Sequence, residues 1–183
     1  GAFCDDELSA NYFGGVLAAS KSENPKDDRG ASILSLIGRL SSYQIRAHYI
    51  FYHVIKQLHG STGANIGDPN QRQKMKTCIP LTAYLASMFN AQAQSPFNDN
   101  VTSHILAGLA RESLIGQFQY GSFEFTHRLM PKEGIIFEPT HLGAELFLWA
   151  YGHSDMGVHE FLKPEKQFKV MDGATLPSGC LTI

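Results

Sequence analysis

Histidine and carboxylate side chains that could hold a metal ion lie close together toward the C-terminal end of the chain. The tightest group is His153, Asp155 and His159 in the segment HSDMGVH, and His141 and Glu145 lie one helical turn apart shortly before it. Imidazole nitrogens and carboxylate oxygens bind zinc and other divalent ions, so this group could form the centre of a metal-dependent hydrolase. The spacing matches no established ligand motif, and the same segment also fits a turn whose polar side chains face water.

Other motifs of catalysis are missing from the sequence. It contains no nucleophile elbow, P-loop, dinucleotide-binding fingerprint or H-E-x-x-H motif. His48, His53 and His59 lack the i, i+4 spacing of a helix-borne metal site. These features predict a protein that is not an enzyme and uses no cofactor. The cysteines form no C-x-x-C pair, which predicts free thiols in a reducing compartment. They are Cys4, Cys78 and Cys180.

The composition predicts a folded protein without a bulk charge preference. Its 183 residues are 43% apolar, and the formal net charge is −2, so a contact with nucleic acid would need a local basic patch. No apolar run approaches the roughly 18 residues that span a bilayer, and the sequence begins without a signal-peptide pattern. We therefore expect a cytoplasmic protein without membrane contact. Because the sequence starts at Gly1 rather than at methionine, we expect residues to precede it.

Apolar spacing predicts a first helix over residues 5–20. Leu8, Tyr12 and Val16 share one face of it. Gly14 and Gly15 disfavour a helix by about 1 kcal/mol each relative to alanine. Their presence inside the pattern therefore predicts a close helix crossing or a bend.

Two further helices are predicted before residue 60. Asp27 or Asp28 can cap a helix over 31–40, and Ser41 or Ser42 can cap an aromatic helix over 43–58. Charged and aromatic residues around this second boundary could form a polar cluster that binds a base or a phosphate, or could cover the core. They are Arg39, Tyr43 and Arg46.

Residues 60–77 lack apolar periodicity and are rich in Gly, Asn and Asp, which predicts a long loop between two helical parts. The loop becomes basic at Arg72, Lys74 and Lys76. These three charges could contact phosphate, but a solvated loop is the favoured explanation because three charges give only a small electrostatic attraction.

Residues 80–152 have the order helix, polar break, helix, aromatic strand-like segments and closing helix. The first helix is PLTAYLASMF and the second lies in VTSHILAGLARESLI, with Val101, Ile105 and Leu109 on one stripe. Thr140 is a predicted N-cap of the closing helix, in which Leu142, Leu146 and Trp149 supply the buried face.

This order resembles winged-helix transcription factors of the MarR and PadR families. Thr82, Leu85 and Ala86 resemble their T-x-x-x-L-A helix, with one residue fewer between the threonine and the leucine. Leu114 and Ile115 match the end of their L-x-x-x-G-L-I phrase, with Ser113 where those families have glycine. The segment FEPTHLGAEL resembles the phrase that ends their wing. The resemblance implies a winged helix-turn-helix-like domain with a small β hairpin, built on a mainly α fold.

The chain is accordingly expected to have four parts. These are an N-terminal helical segment (1–59), a loop or linker (60–79), the winged-helix-like domain (80–152) and a C-terminal tail (153–183) that wraps the body or joins a partner. A DNA-binding role would use polar residues on the second helix of the pair and basic residues on the wing. The candidates are Asn100, Thr102, Ser103, His104, Arg111, Arg128 and Lys132. They supply few cations for a phosphate backbone.

The N-terminal half resembles the abortive-infection alpha family of bacterial proteins. The resemblance rests on Tyr12, Gly15, Leu17, Ala18, Ser20, Asp28, Leu40 and Ser41. It implies a cytoplasmic bacterial protein linked to phage defence, and the family supplies no catalytic residue. With Phe51, Phe123 and Phe125 expected outside the core, the sequence predicts a non-enzymatic protein that acts through protein binding or self-association. The alternatives are a winged-helix DNA-binding regulator and a metal-dependent hydrolase.

Overall fold

A computed structural model of the chain describes residues 7–21, 27–89, 96–122 and 133–183. Within these ranges the fold is mainly helical, with one four-stranded antiparallel sheet. The helices are α1 (Glu7–Ala19), α2 (Arg29–Gly38), α3 (Ser42–His59), α4 (Pro69–Arg72), α5 (Leu81–Phe89), α6 (Pro96–Arg111) and α7 (His141–Ala150). The strands are β1 (Thr77–Pro80), β2 (Ile115–Gly121), β3 (Gly134–Pro139) and β4 (Leu181–Thr182).

The aromatic helix α3 is the centre of the fold. It begins with a capping box in which the Ser41 hydroxyl accepts from the Gln44 amide and the Gln44 side chain accepts from the Ser41 amide. The prediction of a cap at Ser41 or Ser42 is thus confirmed at Ser41. Phe51 is fully buried and stacks on Phe137 of β3, with ring centroids 4.3 Å apart. The expectation that Phe51 lies outside the core is wrong, because α3 is covered on nearly all sides.

Helix α1 crosses α7 at very short range. A Cβ atom added at Gly15 would collide with the backbone carbonyl of Ala150, so only glycine permits this approach. The close crossing predicted from the glycine pair is therefore confirmed at Gly15. At Gly14 the added atom would meet no other described atom within 4 Å.

The start of α2 differs from the prediction in its chemistry. Asp28 occupies the N-cap position, but its side chain makes no capping hydrogen bond. Asp27 instead accepts from the Arg29 amide at 3.2 Å and pairs with the Arg29 guanidinium at 2.8 Å. The Asp27 carboxylate thus binds both the backbone amide and the side chain of Arg29, the first residue of α2, and Asp28 stays exposed.

Residues 60–79 are not wholly a loop. Asp68 caps the short helix α4, a 3₁₀ helix follows at Gln73–Met75, and β1 begins at Thr77. Strand β1 lies inside the sheet, whose order is β2-β3-β1-β4. The linker prediction failed here because TCIP is too short to show a strand period.

The helix pair, hairpin and closing helix occur in the predicted order, with shifted limits. Helix α6 begins five residues before Val101 and ends at Arg111. Its end is a Schellman motif, in which the Leu114 amide donates to the Leu109 carbonyl at 2.9 Å and Ser113 has φ 59°. Thr140 caps α7 as predicted, since its hydroxyl accepts from the Gly143 amide at 3.0 Å.

One hydrophobic cluster takes buried residues from all four predicted parts of the chain, including Leu8, Ile66, Leu109 and Phe161. A second, small cluster of Cys78 and Ile136 lies on the other face of the sheet against Ile183. The four-part division remains a prediction, and the described parts share a core.

Candidate functional site

The outward face of α6 carries most of the described residues that were predicted to read DNA. Asn100, Ser103, His104 and Arg111 are exposed there, together with Ala107. Apolar residues on the opposite face hold the helix against the core, with Ile105 and Leu109 fully buried. The structure thus brings four of the candidates onto one helix surface.

Thr102 does not belong to this surface. It is 1% exposed and faces the interior, so its assignment as a DNA-binding residue is wrong. The hydroxyls of Thr102 and Tyr84 are both buried without a hydrogen bond of good geometry to any described atom. Burial raises the pKa of Tyr84, which therefore stays a neutral phenol. Arg128 and Lys132, the predicted wing cations, lie outside the described residues.

The charge of the α6 face is close to neutral over the described residues. Arg111 is its cation, and the Arg111 guanidinium lies 3.7 Å from the Glu112 carboxylate. Glu112 also binds Arg39, the C-cap residue of α2, at 2.9 Å. These arginines lower the pKa of the Glu112 carboxyl, with the Arg39 hydrogen bond as the main cause. The anion is therefore present at neutral pH and offsets the positive charge beside α6.

A groove of about 630 Å³ lies next to the C-terminal end of α6. Its floor is the outer face of the sheet, where Ile136 of β3 and the two amides Gln117 and Gln119 of β2 line it. Lys76 stands at its edge and pairs with Glu138 at 3.4 Å. This groove also presents apolar and uncharged polar groups rather than a cationic track.

The other predicted basic and aromatic groups are dispersed. Arg72 donates to the Ile66 carbonyl at 2.9 Å and Lys74 is exposed, so the basic loop residues form no common patch with the paired Lys76. Tyr43 packs edge-on against Phe89, and Arg46 donates to the Gly173 carbonyl. With Arg39 bound to Glu112, the predicted Arg39, Tyr43 and Arg46 cluster has partners in three different parts of the fold.

The predicted metal group is not assembled. Among the described residues, which include His153, Asp155 and His159, no three His, Cys, Asp or Glu side chains come together in an arrangement that could hold a metal ion. His153 packs edge-on against Phe168, while Asp155 and His159 are exposed. His153 and Asp155 lie in the turn region that precedes the 3₁₀ helix Val158–Glu160, and His159 lies within that helix. The described residues therefore supply no assembled ligand set for the hydrolase alternative, which stays a prediction.

The structure instead brings polar groups together around His48 of α3. The Tyr12 hydroxyl oxygen lies 2.6 Å from Nδ1 of His48, and Nε2 of His48 lies 3.0 Å from the Gly143 carbonyl oxygen. Since a carbonyl only accepts, Nε2 carries the proton and the Tyr12 hydroxyl donates to Nδ1. Burial lowers the pKa of His48 to about 3, so this ring is neutral at physiological pH.

A second polar group binds the C-terminal tail to α3. The Tyr151 hydroxyl donates to the Lys169 carbonyl at 2.6 Å and lies 2.7 Å from Nε2 of His53. The Met171 amide donates to the Tyr49 hydroxyl at 2.7 Å. Burial lowers the pKa of His53 to about 4, again favouring the neutral ring.

Two more α3 side chains extend this attachment. Lys56 donates to the Lys163 carbonyl at 2.8 Å, and Nε2 of His59 lies 3.1 Å from the Thr182 hydroxyl oxygen. These contacts place the tail along the body of the chain, one of the two outcomes expected for it. Sequence reasoning missed them because most of the partners are tail backbone atoms, and backbone partners leave no pattern in a sequence.

The thiols Cys78 and Cys180 are free, as predicted, while Cys4 lies outside the described residues. Burial raises the pKa of Cys78 to about 12, so this thiol is protonated and unreactive. No described helix has the length and apolar character that crossing a membrane requires. Comparison of the chain with protein-family models, curated proteins and solved structures gives no match.

Proposed function

We propose that the chain is a non-enzymatic bacterial protein that acts by binding other protein chains, through a winged-helix-like module that includes α5, α6 and the β2–β3 hairpin. The neutral outward face of α6 carries this proposal. A surface that tracks duplex DNA needs several cations against the phosphates, and the one described cation there faces a carboxylate. Protein interfaces instead favour surfaces with few charges.

Strand pairing supports the winged-helix part of the proposal. β2 and β3 form an antiparallel hairpin, and β3 also pairs with β1, which directly precedes α5. Both α5 and α6 pack on α3. One sheet therefore joins the hairpin to the start of the helix pair, which is how a wing is held beside its helix-turn-helix. The left-handed conformation of Ser113 also fits the glycine position of the family phrase.

The proposal is tested by site-specific photo-crosslinking in the producing bacterium. A photoreactive phenylalanine analogue at the exposed Ser103 is expected to form a discrete protein adduct. Ala107→Arg, which places a cation on the same face, is expected to remove that adduct. The analogue at Gln57, exposed on α3, is the matched control and is expected to give none. Equal adducts at both positions, or none at Ser103, would contradict protein binding by α6.

Duplex DNA binding is the second candidate, favoured by the exposure of Asn100, Ser103 and His104 on one helix face. Fluorescence anisotropy with labelled duplexes at low salt distinguishes the two. A DNA reader should bind with an affinity that falls steeply with salt and should weaken in Arg111→Ala. We expect no binding at low salt, and a salt-dependent signal that Arg111→Ala reduces would favour DNA.

The proposed biological setting is phage defence, in line with the abortive-infection resemblance of the N-terminal half. In a bacterium that carries the gene, deletion is expected to raise the plating efficiency of at least one phage, and complementation is expected to restore protection. A variant that loses the Ser103 adduct should fail to complement. Full protection by that variant would show that phage defence does not require protein binding through the α6 surface.

A further inference from the structure

Helix α1 is apolar on its inner face and nearly uncharged on its outer face. Leu8, Tyr12 and Val16 point inward and are fully buried. The outer face follows a helical stripe of exposed residues, in which Leu17 is 45% exposed. Its members are Glu7, Ala10, Asn11, Gly14, Leu17, Ala18 and Lys21. Between Glu7 and Lys21 this face carries no charge, and Leu17 is its large apolar side chain.

The charged residues of the stripe and its alanines lie symmetrically about Gly14. Glu7 begins α1 and Lys21 lies two residues beyond its end at Ala19, each seven positions from Gly14. Two copies of α1 packed antiparallel about Gly14 would therefore place Glu7 of each copy opposite Lys21 of the other. Ala10 would face Ala18 in the same way. A parallel pair would place like charges together at both ends.

Gly14 suits the centre of such a contact. An added Cβ there meets no described atom within 4 Å, so the position is open to solvent and allows a partner backbone to approach closely. Gly15, the neighbouring glycine, is already used for the crossing with α7. The two glycines, about 100° apart around the helix axis, would thus serve two crossings on different sides of one helix.

We propose that the outer face of α1 is a homodimer surface, on which a second copy of the chain packs its own α1 antiparallel about Gly14. This inference deepens the proposed function, on which it rests, by naming a second copy as the partner of one surface. A helix of this length is about 20 Å long. The interface is accordingly at the small end of specific contacts, and the dimer is weak and concentration-dependent.

Sedimentation velocity over a wide concentration range tests the proposal. Lys21→Glu is expected to weaken the dimer about tenfold or more, because each Glu7 then faces a carboxylate. The charge exchange Glu7→Lys with Lys21→Glu restores the antiparallel pairing and is expected to return the dissociation constant to within about threefold of the unaltered protein. Lys74→Glu, at an exposed lysine outside α1, is the matched control and should leave association unchanged.

A second variant tests the close approach. Gly14→Leu should abolish the dimer without disturbing the monomer, since the new side chain enters open space. Gly38→Leu is the control, because Gly38 is also an exposed helical glycine with no described atom near an added Cβ. If the dissociation constant of the dimer is unchanged by Lys21→Glu and by Gly14→Leu, the protein self-associates through a surface other than α1, and the proposal is refuted. A monomer at all concentrations would overturn it too, and the Ser103 crosslink would still report on the proposed function independently.

Discussion

Acid should begin to destabilise this protein at a pH above the range in which its carboxylates titrate. His48 and His53 are 0% and 3% exposed. Burial lowers the pKa of His48 from 6.5 to about 3 and that of His53 from 6.5 to about 4. Between the unfolded pKa of 6.5 and the folded pKa of each ring, the native state therefore binds fewer protons than the unfolded chain. The stability that depends on neutral rings is complete above about pH 6.5 and is lost progressively as the pH falls through this window.

The size of the effect follows from the width of the window. Each pH unit below the unfolded pKa costs about 1.4 kcal/mol for each histidine that stays neutral in the fold. At about pH 4.5, two units below 6.5, the two rings together cost about 5 kcal/mol. That is the lower end of the whole stability of a typical domain. Carboxylates such as Glu112, whose folded pKa is lowered, add to the loss only below their ordinary range.

Urea unfolding followed by circular dichroism at a series of pH values measures this directly. The free energy of unfolding should fall by several kcal/mol between about pH 6.5 and 4.5. In His48→Gln the fall should be about half as large, because glutamine can keep a donor toward the Gly143 carbonyl but does not titrate. His141→Gln, at an exposed ring, should leave the slope unchanged. An unchanged slope in His48→Gln, or a flat stability profile across this window, would refute the reasoning.

Three substitutions probe local strain and packing, each measured by urea unfolding at neutral pH. Ser113→Gly should raise stability by up to about 1 kcal/mol, because glycine adopts the positive φ of the Schellman position at no steric cost; a loss would mean that the Ser113 side chain contributes more than its backbone costs. Thr102→Val should raise stability by about 1 kcal/mol if the buried Thr102 hydroxyl lacks a hydrogen bond, and a decrease would indicate that this hydroxyl pairs with the neighbouring Tyr84 hydroxyl. Gly15→Ala should lower stability by about 3 kcal/mol or more, because the added atom meets the Ala150 carbonyl, whereas Gly14→Ala should be neutral or stabilising.

Features with a short-range pattern could be predicted from the sequence. The caps at Ser41 and Thr140 are such features, since each depends on one hydroxyl a few positions before an apolar stripe. The close crossing at Gly15 was visible because glycine is costly inside a helix and implies a compensating contact. These elements account for most of the helices and for the order of the C-terminal half.

Features that depend on distant partners could not be predicted. β1 is a short strand, and its assignment needs the pairing with β3 that only the folded chain supplies. Phe51 looked exposed because α3 carries polar and aromatic residues on all sides, yet Phe137 of β3 and Tyr84 of α5 pack against it. Thr102 lies on the same helix as the exposed Ser103, and a one-residue error in helix phase separates a surface position from a core position.

The histidines illustrate how residue type can mislead when the fold is unknown. Imidazole suggested metal chemistry at His153 and His159, where the rings are dispersed along a turn. The histidines with strongly perturbed pKa values are His48 and His53, which attach α1, α7 and the tail to α3. A neutral imidazole donates at one nitrogen and accepts at the other, so it can join two backbone or hydroxyl groups inside a core without leaving a charge. Attachment of the tail should therefore depend on pH. Protonating these rings would place positive charge beside hydroxyl and carbonyl groups, with no described carboxylate bound to either ring.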